Sequence, residues 1–252
     1  MKPVENPIER YLDVCISQLG SVRDRSAEAI DAAARAVAEA IENDKGYYLF
    51  GSGHSGLTAR EAFWRAGGLA PAIPIDDPLE GDAERLPGYA VKLLAHYDLQ
   101  PGGVMLIISN SGINPLPIEV ALESKARGLA VIAVTCMSHA RGATSRHPGG
   151  RKLHELADII IDTQGIPGDA VLEIPSVPGR VGPTSTVLGA AIINAITVAA
   201  AGHLADRGLT PPVLVSSNLP EGDSHNARLV ARYRARLARS LIPTADAKPA
   251  TS

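Results

Sequence analysis

Tyr47-Tyr48-Leu49-Phe50-Gly51-Ser52-Gly53-His54-Ser55-Gly56 and Val104-Met105-Leu106-Ile107-Ile108-Ser109-Asn110-Ser111-Gly112 decide the reading of this chain. Each is a short apolar run followed directly by a turn of small residues, and each leads into a helix-like segment. A buried strand, a Gly/Ser turn and a helix N-terminus together make an anion site. Unpaired backbone N–H groups and the helix dipole point at the ligand, and small hydroxyls add donors. Two such turns in one parallel sheet converge on one small phosphorylated molecule.

Outward from these turns, apolar runs alternate with helical patterns. The spacing predicts a helix near Ser55–Ala66, an apolar stretch Ala72–Ile75 and an acidic loop Asp76–Arg85. A helix around Tyr89–Tyr97, a helix near Leu116–Arg127, a strand Leu129–Thr135 and a basic loop Ser138–Arg151 follow. A strand Ile159–Ile161 comes next, then a Gly/Pro-rich stretch Gln164–Pro183 with one short strand at Ala170–Ile174. Pro183 opens a long apolar helix with Thr184 and Ser185 in its first turn. A polar loop Ser216–Ser224 leads to an Arg-rich helix Asn226–Leu241. Before the first strand, Ile8, Leu12, Cys15, Ile16 and Leu19 share one helical face, and Ile30, Ala34, Val37 and Ile41 share another, so two amphipathic helices are expected. The expected divisions are N-terminal helices over 1–45, an α/β domain over 46–242 and a disordered tail over 243–252. Buried strands alternating with helices imply a doubly wound parallel sheet with helices on both faces, and ligands beyond the carboxyl ends of its strands.

Composition narrows the function. The chain has 252 residues, 45% hydrophobic and 20% charged, enough for one core without disulfides or metal. Net charge is −3 and aromatics are 4%, which argues against nucleic acid and anionic membranes as partners. The two cysteines, Cys15 and Cys136, fall on apolar patterns and are expected to be buried, reduced thiols. No signal-peptide core is visible in Met1–Arg10, so a cytoplasmic location is the expectation. Val187–Leu204 is nearly long enough to span a membrane, but Asn194, Thr197 and His203 interrupt it, and a helix packed inside the domain is the preferred reading.

The first turn partly matches G-x-G-x-x-G, and Asp76 follows at dinucleotide-like spacing, but a dinucleotide fold does not need the second turn. The Gly51–Gly56 turn, Ser109-Asn110-Ser111-Gly112, and Pro183-Thr184-Ser185-Thr186 opening an apolar helix resemble the three landmarks of the SIS (sugar isomerase) domain family, over roughly Gly46 to Ala205. Ser216–Asn226 and the flanking helices resemble a bacterial group of that family classed with phosphosugar isomerases. The resemblance implies a five-stranded αβα sandwich with extra N-terminal helices and a C-terminal helix. It implies a homodimer or tetramer with the site at the subunit interface, and a sugar phosphate as substrate. Phosphate would be held by Ser52, Ser55, Ser109, Asn110 and Ser111. Asn114 stands where many relatives have Thr, and Thr184, Ser185 and Thr186 complete the pocket. Ser and Thr also favour turns and N-caps for their own sake. It is the three clusters together that favour phosphate.

Aldose–ketose isomerisation moves a proton between C1 and C2 through an enediol(ate), so it needs a general base and a donor to the carbonyl oxygen. The candidates are His54, Glu61, Glu80 and His225, the last reaching a site across a dimer. Relatives with isomerase activity often carry Glu directly after the second turn, and here that position is Ile113. This departure leaves open a non-catalytic sugar-phosphate sensor, or lyase, etherase or deaminase chemistry on an amino sugar phosphate. No cofactor is expected. His139, His147 and His154 match no zinc spacing, so no metal is expected either.

Overall fold

The computed structural model describes residues 6–241, with side chains to Tyr233; the tail expected over 243–252 and the side chains of Arg234, Arg236 and Arg239 lie outside the described residues. A single 36-residue helix, α1 (Pro7–Glu42), stands where two helices were expected. Asn6 caps it by accepting the Ile8 N–H at 3.0 Å, and Pro7 sits at the first position, where a missing N–H costs nothing. Between its two apolar stretches no proline intervenes, and the one weak helix former there, Gly20, does not break it.

The sheet holds β1 (Tyr47–Gly51), β2 (Ala72–Ile75), β3 (Val104–Ile108), β4 (Ala130–Thr135) and β5 (Ile159–Asp162), all parallel, in the order β2-β1-β3-β4-β5. Successive strand residues point to opposite faces, and here both faces are buried. Tyr47 and Leu49 enter one core with Leu106, Ile132 and Ile161, which α1 and α6 (Ser185–Asp206) cover. Tyr48 and Phe50 enter the other with Met105, Ile107 and Val131, under α3 (Tyr89–Leu94) and α4 (Pro115–Ala126). The chain leaves β1 toward β2 on one side and reaches β3 on the other. The carboxyl ends of β1 and β3 therefore flank the switch point, where α/β sheets bind ligands. Both small-residue turns lie there, the first opening α2 (His54–Glu61) and the second leading to α4.

Some elements differ from expectation. The basic loop begins with a short helix, α5 (Met137–Gly142), and continues to a 3₁₀ turn at Leu153–Glu155. The Gly/Pro-rich stretch holds two strands, β6 (Ala170–Glu173) and β7 (Arg180–Pro183), paired antiparallel. Pro183 thus ends β7 instead of opening α6, and Thr184 takes the N-cap. The last helix, α7 (Gly222–Leu241), starts inside the polar loop. Among the described residues, α6 is the one helix long and apolar enough to cross a membrane. Its Leu188, Ile192, Ile193 and Ile196 are buried in the core shared with α1, while Val198 faces out. Cys15 and Cys136 are buried, free thiols.

Candidate functional site

The first turn is closed by its own backbone. Ser55 N–H donates to the Ser52 carbonyl at 3.2 Å and Gly56 N–H to the Gly53 carbonyl at 2.9 Å. A Cβ on Gly51 would lie 2.3 Å from the Ser55 carbonyl oxygen, so only glycine fits. The loop after β2 then comes down on the turn: a Cβ on Gly81 would meet the Gly53 Cα at 2.9 Å. Asp77 holds that loop, accepting from Leu79 N–H at 3.0 Å, Gly81 N–H at 3.2 Å and the Tyr89 hydroxyl at 3.3 Å. Burial first, and the Asp77 charge second, raise the Tyr89 pKa, which keeps that hydroxyl a donor. Glu80 follows in the left-handed region at φ +47°.

Between this turn and the end of β2 lies a cavity of about 500 Å³, lined among others by His54, Leu57, Arg60, Ile75, Asp76 and Glu80. Its volume is that of a small-molecule site. Arg60 Nε donates to Asp76 at 2.8 Å across it, and the Tyr97 hydroxyl accepts the Asp76 N–H at 2.9 Å. His54 and Glu80 are exposed, and neither side chain is hydrogen-bonded to another described residue. Ser52 Oγ is buried without a partner.

The second turn is held from outside. Ser109 N–H donates to Val134 at 3.1 Å, Cys136 N–H to Asn110 at 3.0 Å, Leu153 N–H to Gly112 at 2.9 Å and Arg146 N–H to Ile113 at 2.9 Å. Ser109 Oγ accepts the Gly112 N–H at 3.2 Å. Asn114, the buried N-cap of α4, makes no capping bond with its side chain; its Oδ1 accepts from Arg146 Nη1 at 2.9 Å.

The third cluster is engaged by a carboxylate. Asp169, at φ +69°, accepts from Thr184 N–H at 3.0 Å, Ser185 N–H at 2.8 Å and Ser185 Oγ at 2.6 Å. It thereby caps α6 in place of the Thr184 side chain, whose Oγ1 is buried and unpartnered. The three clusters meet at a crevice lined by His54, Ser55, Asn110, Thr163, Ser185 and Thr186, among others. Its free volume is about 10 Å³, room for about one water.

The expected site residues therefore divide. His54, Ser55, Asn110, Ser185 and Thr186 line the crevice, and His54 and Glu80 line the cavity. Ser52, Ser109 and Thr184 are buried in the turns, and Ser111 and Asn114 lie on the second turn. Glu61, the last residue of α2, pairs with Arg65 just beyond the helix and lines neither space. His225 Nε2 lies 2.9 Å from the Val213 carbonyl oxygen, also away from both. Arg60, Asp169 and Arg146 were missed as site residues. Asp76 does follow directly on β2, as the dinucleotide-like spacing placed it, but Arg60 engages it. Among the described residues, no group of His, Cys, Asp and Glu is placed to hold a metal ion.

Residues 10–136 match the SIS domain family. The chain is 39% identical over 239 residues to a UPF0309 protein of Listeria monocytogenes, covering 91% of this chain and 97% of that one. It is 40% identical to a UPF0309 protein of Streptomyces coelicolor, covering 92% and 96%. Among solved structures, a phosphoheptose isomerase from Francisella tularensis superposes with a TM-score of 0.54 at 17% identity, covering 77% of this chain and 96% of that one. The Vibrio vulnificus NanR protein complexed with ManNAc-6P gives 0.51 at 15%, covering 93% and 71%. The chain belongs to the SIS domain family.

Proposed function

We propose that this SIS-domain chain binds a phosphorylated sugar at the carboxyl edge of its sheet and interconverts the aldose and ketose forms through an enediol(ate). The observation that carries the reading is His54, which lines both the crevice where the hydroxyl clusters meet and the 500 Å³ cavity, with Glu80 beside it on the cavity wall. Phosphate would anchor at the clusters and the sugar would extend past His54. Glu80 takes the C2 proton as general base and returns it to C1, while His54 donates to the carbonyl oxygen and then accepts from the neighbouring hydroxyl. Glu61 and His225, both engaged elsewhere within the chain, are not needed for this scheme. A cytoplasmic homodimer or tetramer working without a cofactor completes the proposal. The exposed stripe Ile8, Leu12 and Ile16 on α1 supports assembly, because such apolar faces are normally covered.

Incubation with a panel of pentose, hexose and heptose phosphates in D2O, followed by NMR, tests the chemistry. Conversion of one member to its aldose or ketose isomer, with deuterium entering C1 or C2 to the extent that the proton on Glu80 exchanges with solvent, is the expected result, and the absence of both conversion and exchange from every member sinks isomerisation.

Ile113 favours a second reading, a sugar-phosphate sensor, because it is an apolar side chain where relatives often place an acid. That the solved NanR structure holds ManNAc-6P keeps this reading within the fold's range. Thermal stabilisation by a ligand that returns unchanged and unexchanged would select it. Lyase, etherase or deaminase chemistry on an amino sugar phosphate starts with the same proton abstraction; exchange accompanied by release of an acid, alcohol or ammonia would select that.

A further inference from the structure

Two prolines limit what the second turn can offer an anion. A helix N-terminus attracts anions chiefly through the unpaired N–H groups of its first turn. Helix α4 begins Pro115-Leu116-Pro117, so its first and third positions have no N–H. The donor between them, Leu116 N–H, goes to the Glu84 carbonyl at 3.1 Å. The first three helical positions are thus closed to a ligand, and a phosphate there needs donors from side chains and the turn itself.

Asn114 is placed to supply one. An Asn at an N-cap ordinarily turns its Oδ1 onto the second or third N–H of the helix. Here one of these is already bonded and the other does not exist, so the amide is free for other work. Its Oδ1 accepts from Arg146 Nη1 at 2.9 Å. A guanidinium carries donors only, so this bond fixes which end of the amide is oxygen and turns the NH2 group away from Arg146. That Nδ2 has no partner among the described residues, yet it is not sealed from solvent. Asn114 as a residue is 5% exposed, so its amide is held in place and only its edge is open.

Arg146 is itself braced. Its N–H donates to the Ile113 carbonyl at 2.9 Å, and the neighbouring Ser145 Oγ ties the loop to the Arg151 carbonyl at 2.6 Å. We propose that Arg146 is a positioning residue of the phosphate site: by holding Asn114 Oδ1 it presents the Asn114 NH2 group to the phosphate of a bound sugar phosphate. This rests on the reading that the second turn binds phosphate. A hydroxyl at position 114 would rotate to suit its ligand and would need no such partner. Asn needs one because a reversed amide presents its oxygen to the anion.

The test is a double-mutant cycle on the full chain, titrated calorimetrically at constant ionic strength with inorganic phosphate and with the pentose, hexose and heptose phosphates. Arg146→Gln weakens phosphate binding about tenfold without lowering the unfolding temperature, as expected for one misdirected charged hydrogen bond, and Arg146→Lys recovers part of the loss. In an Asn114→Thr background, Arg146→Gln changes the affinity by less than about twofold, since no amide remains to orient. Unaltered binding by Arg146→Gln overturns the proposal, and so does a tenfold loss that persists in the Asn114→Thr background. A wild-type chain that binds neither phosphate nor any sugar phosphate fails one step earlier, at the phosphate reading itself.

Discussion

The two turns look like copies in the sequence and are built on different principles. The Gly51–Gly56 turn closes on its own backbone, needs glycine for steric reasons, and leaves the side chains of Ser52, His54 and, on the neighbouring loop, Glu80 without partners, the last two lining a 500 Å³ cavity. The Ser109–Asn114 turn is held by a bond to the Val134 carbonyl and by bonds from the Cys136, Leu153 and Arg146 N–H groups, and its helix start is blocked by two prolines. One turn holds spare titratable groups, while the other holds a spare amide. A turn's ligand is set by the polar groups it leaves unsatisfied, because buried polar groups that already have partners gain little from a new one. On that ground the proposed isomerisation would draw its acid–base groups from beside the first turn, and the second turn would serve as an anchor alone.

The largest expected effect tests this division directly. Glu80→Gln and His54→Asn should each lower kcat of the proposed isomerisation by about 10²–10⁴, with KM changed little. Asn114→Thr should act mainly on KM. Steady-state kinetics on the substrate found in the exchange screen reads both, and a kcat loss from Asn114→Thr as large as that from Glu80→Gln would erase the distinction.

Next in size is the steric demand of the first turn. Gly51→Ala forces a Cβ to within 2.3 Å of the Ser55 carbonyl oxygen, so the turn must open. A loss of more than about 2 kcal/mol in urea unfolding is expected. A loss below about 0.5 kcal/mol would show that the turn yields easily and that glycine is not required there.

A serine from each turn gives a finer contrast. Ser109 Oγ is bonded to the Gly112 N–H, so Ser109→Ala should cost about 1 kcal/mol of stability. Ser52 Oγ is buried without a partner, so Ser52→Ala should leave the free protein as stable or slightly more so, yet weaken phosphate binding. Equal destabilisation by the two substitutions would mean that Ser52 is not held in reserve for a ligand.

How far the sequence discloses this site depends on the range of the interaction. Alternating strands, turns and helices follow from short-range periodicity, so the sheet and both turns were legible. The Glu61–Arg65 pair was less so: the i,i+4 spacing suits a helix pair, yet α2 ends at Glu61 and Arg65 lies beyond it, so the contact depends on how the chain turns there. The single α1 could have been read from the lack of any proline between its halves. Strand β7 could not, since Arg180-Val181-Gly182-Pro183 carries no strand periodicity and exists by pairing with β6. Asp169 capping α6 and Arg146 holding Asn114 are contacts across 16 and 32 residues, made by loops whose course no local pattern fixes. The candidate site was least legible at such contacts, because the sequence can put Asn114 among the phosphate contacts without showing that Arg146 holds its amide.

The smallest effect separates the two turns by pH. His154 sits in the 3₁₀ turn whose Leu153 N–H holds the Gly112 carbonyl of the second turn. Burial pushes its pKa below the ordinary 6.5; the Lys152 and Arg141 charges act the same way, and Glu155 opposes them. In the unfolded chain His154 takes up a proton near its ordinary value, and in the folded chain only at lower pH. Between those two values the unfolded state binds more protons. Stability from this group is therefore complete above about pH 6.5, falls as pH drops toward the folded value, and levels off below it. The drop should be modest because His154 is only partly buried, and it should be local, loosening the grip on Gly112 while the first turn is unaffected. Urea midpoints at about pH 7.5 and about pH 5.5 should fall further in the wild type than in His154→Gln, whose side chain stays neutral at both. Corrected for the intrinsic slowing of exchange at lower pH, protection of the amides at Asn110–Ile113 should fall over the same interval while that at Ser52–Gly56 holds steady. Equal falls in the two proteins, or a parallel loss of protection at both turns, would place the acid sensitivity elsewhere and leave the second turn no more dependent on its outside supports than the first.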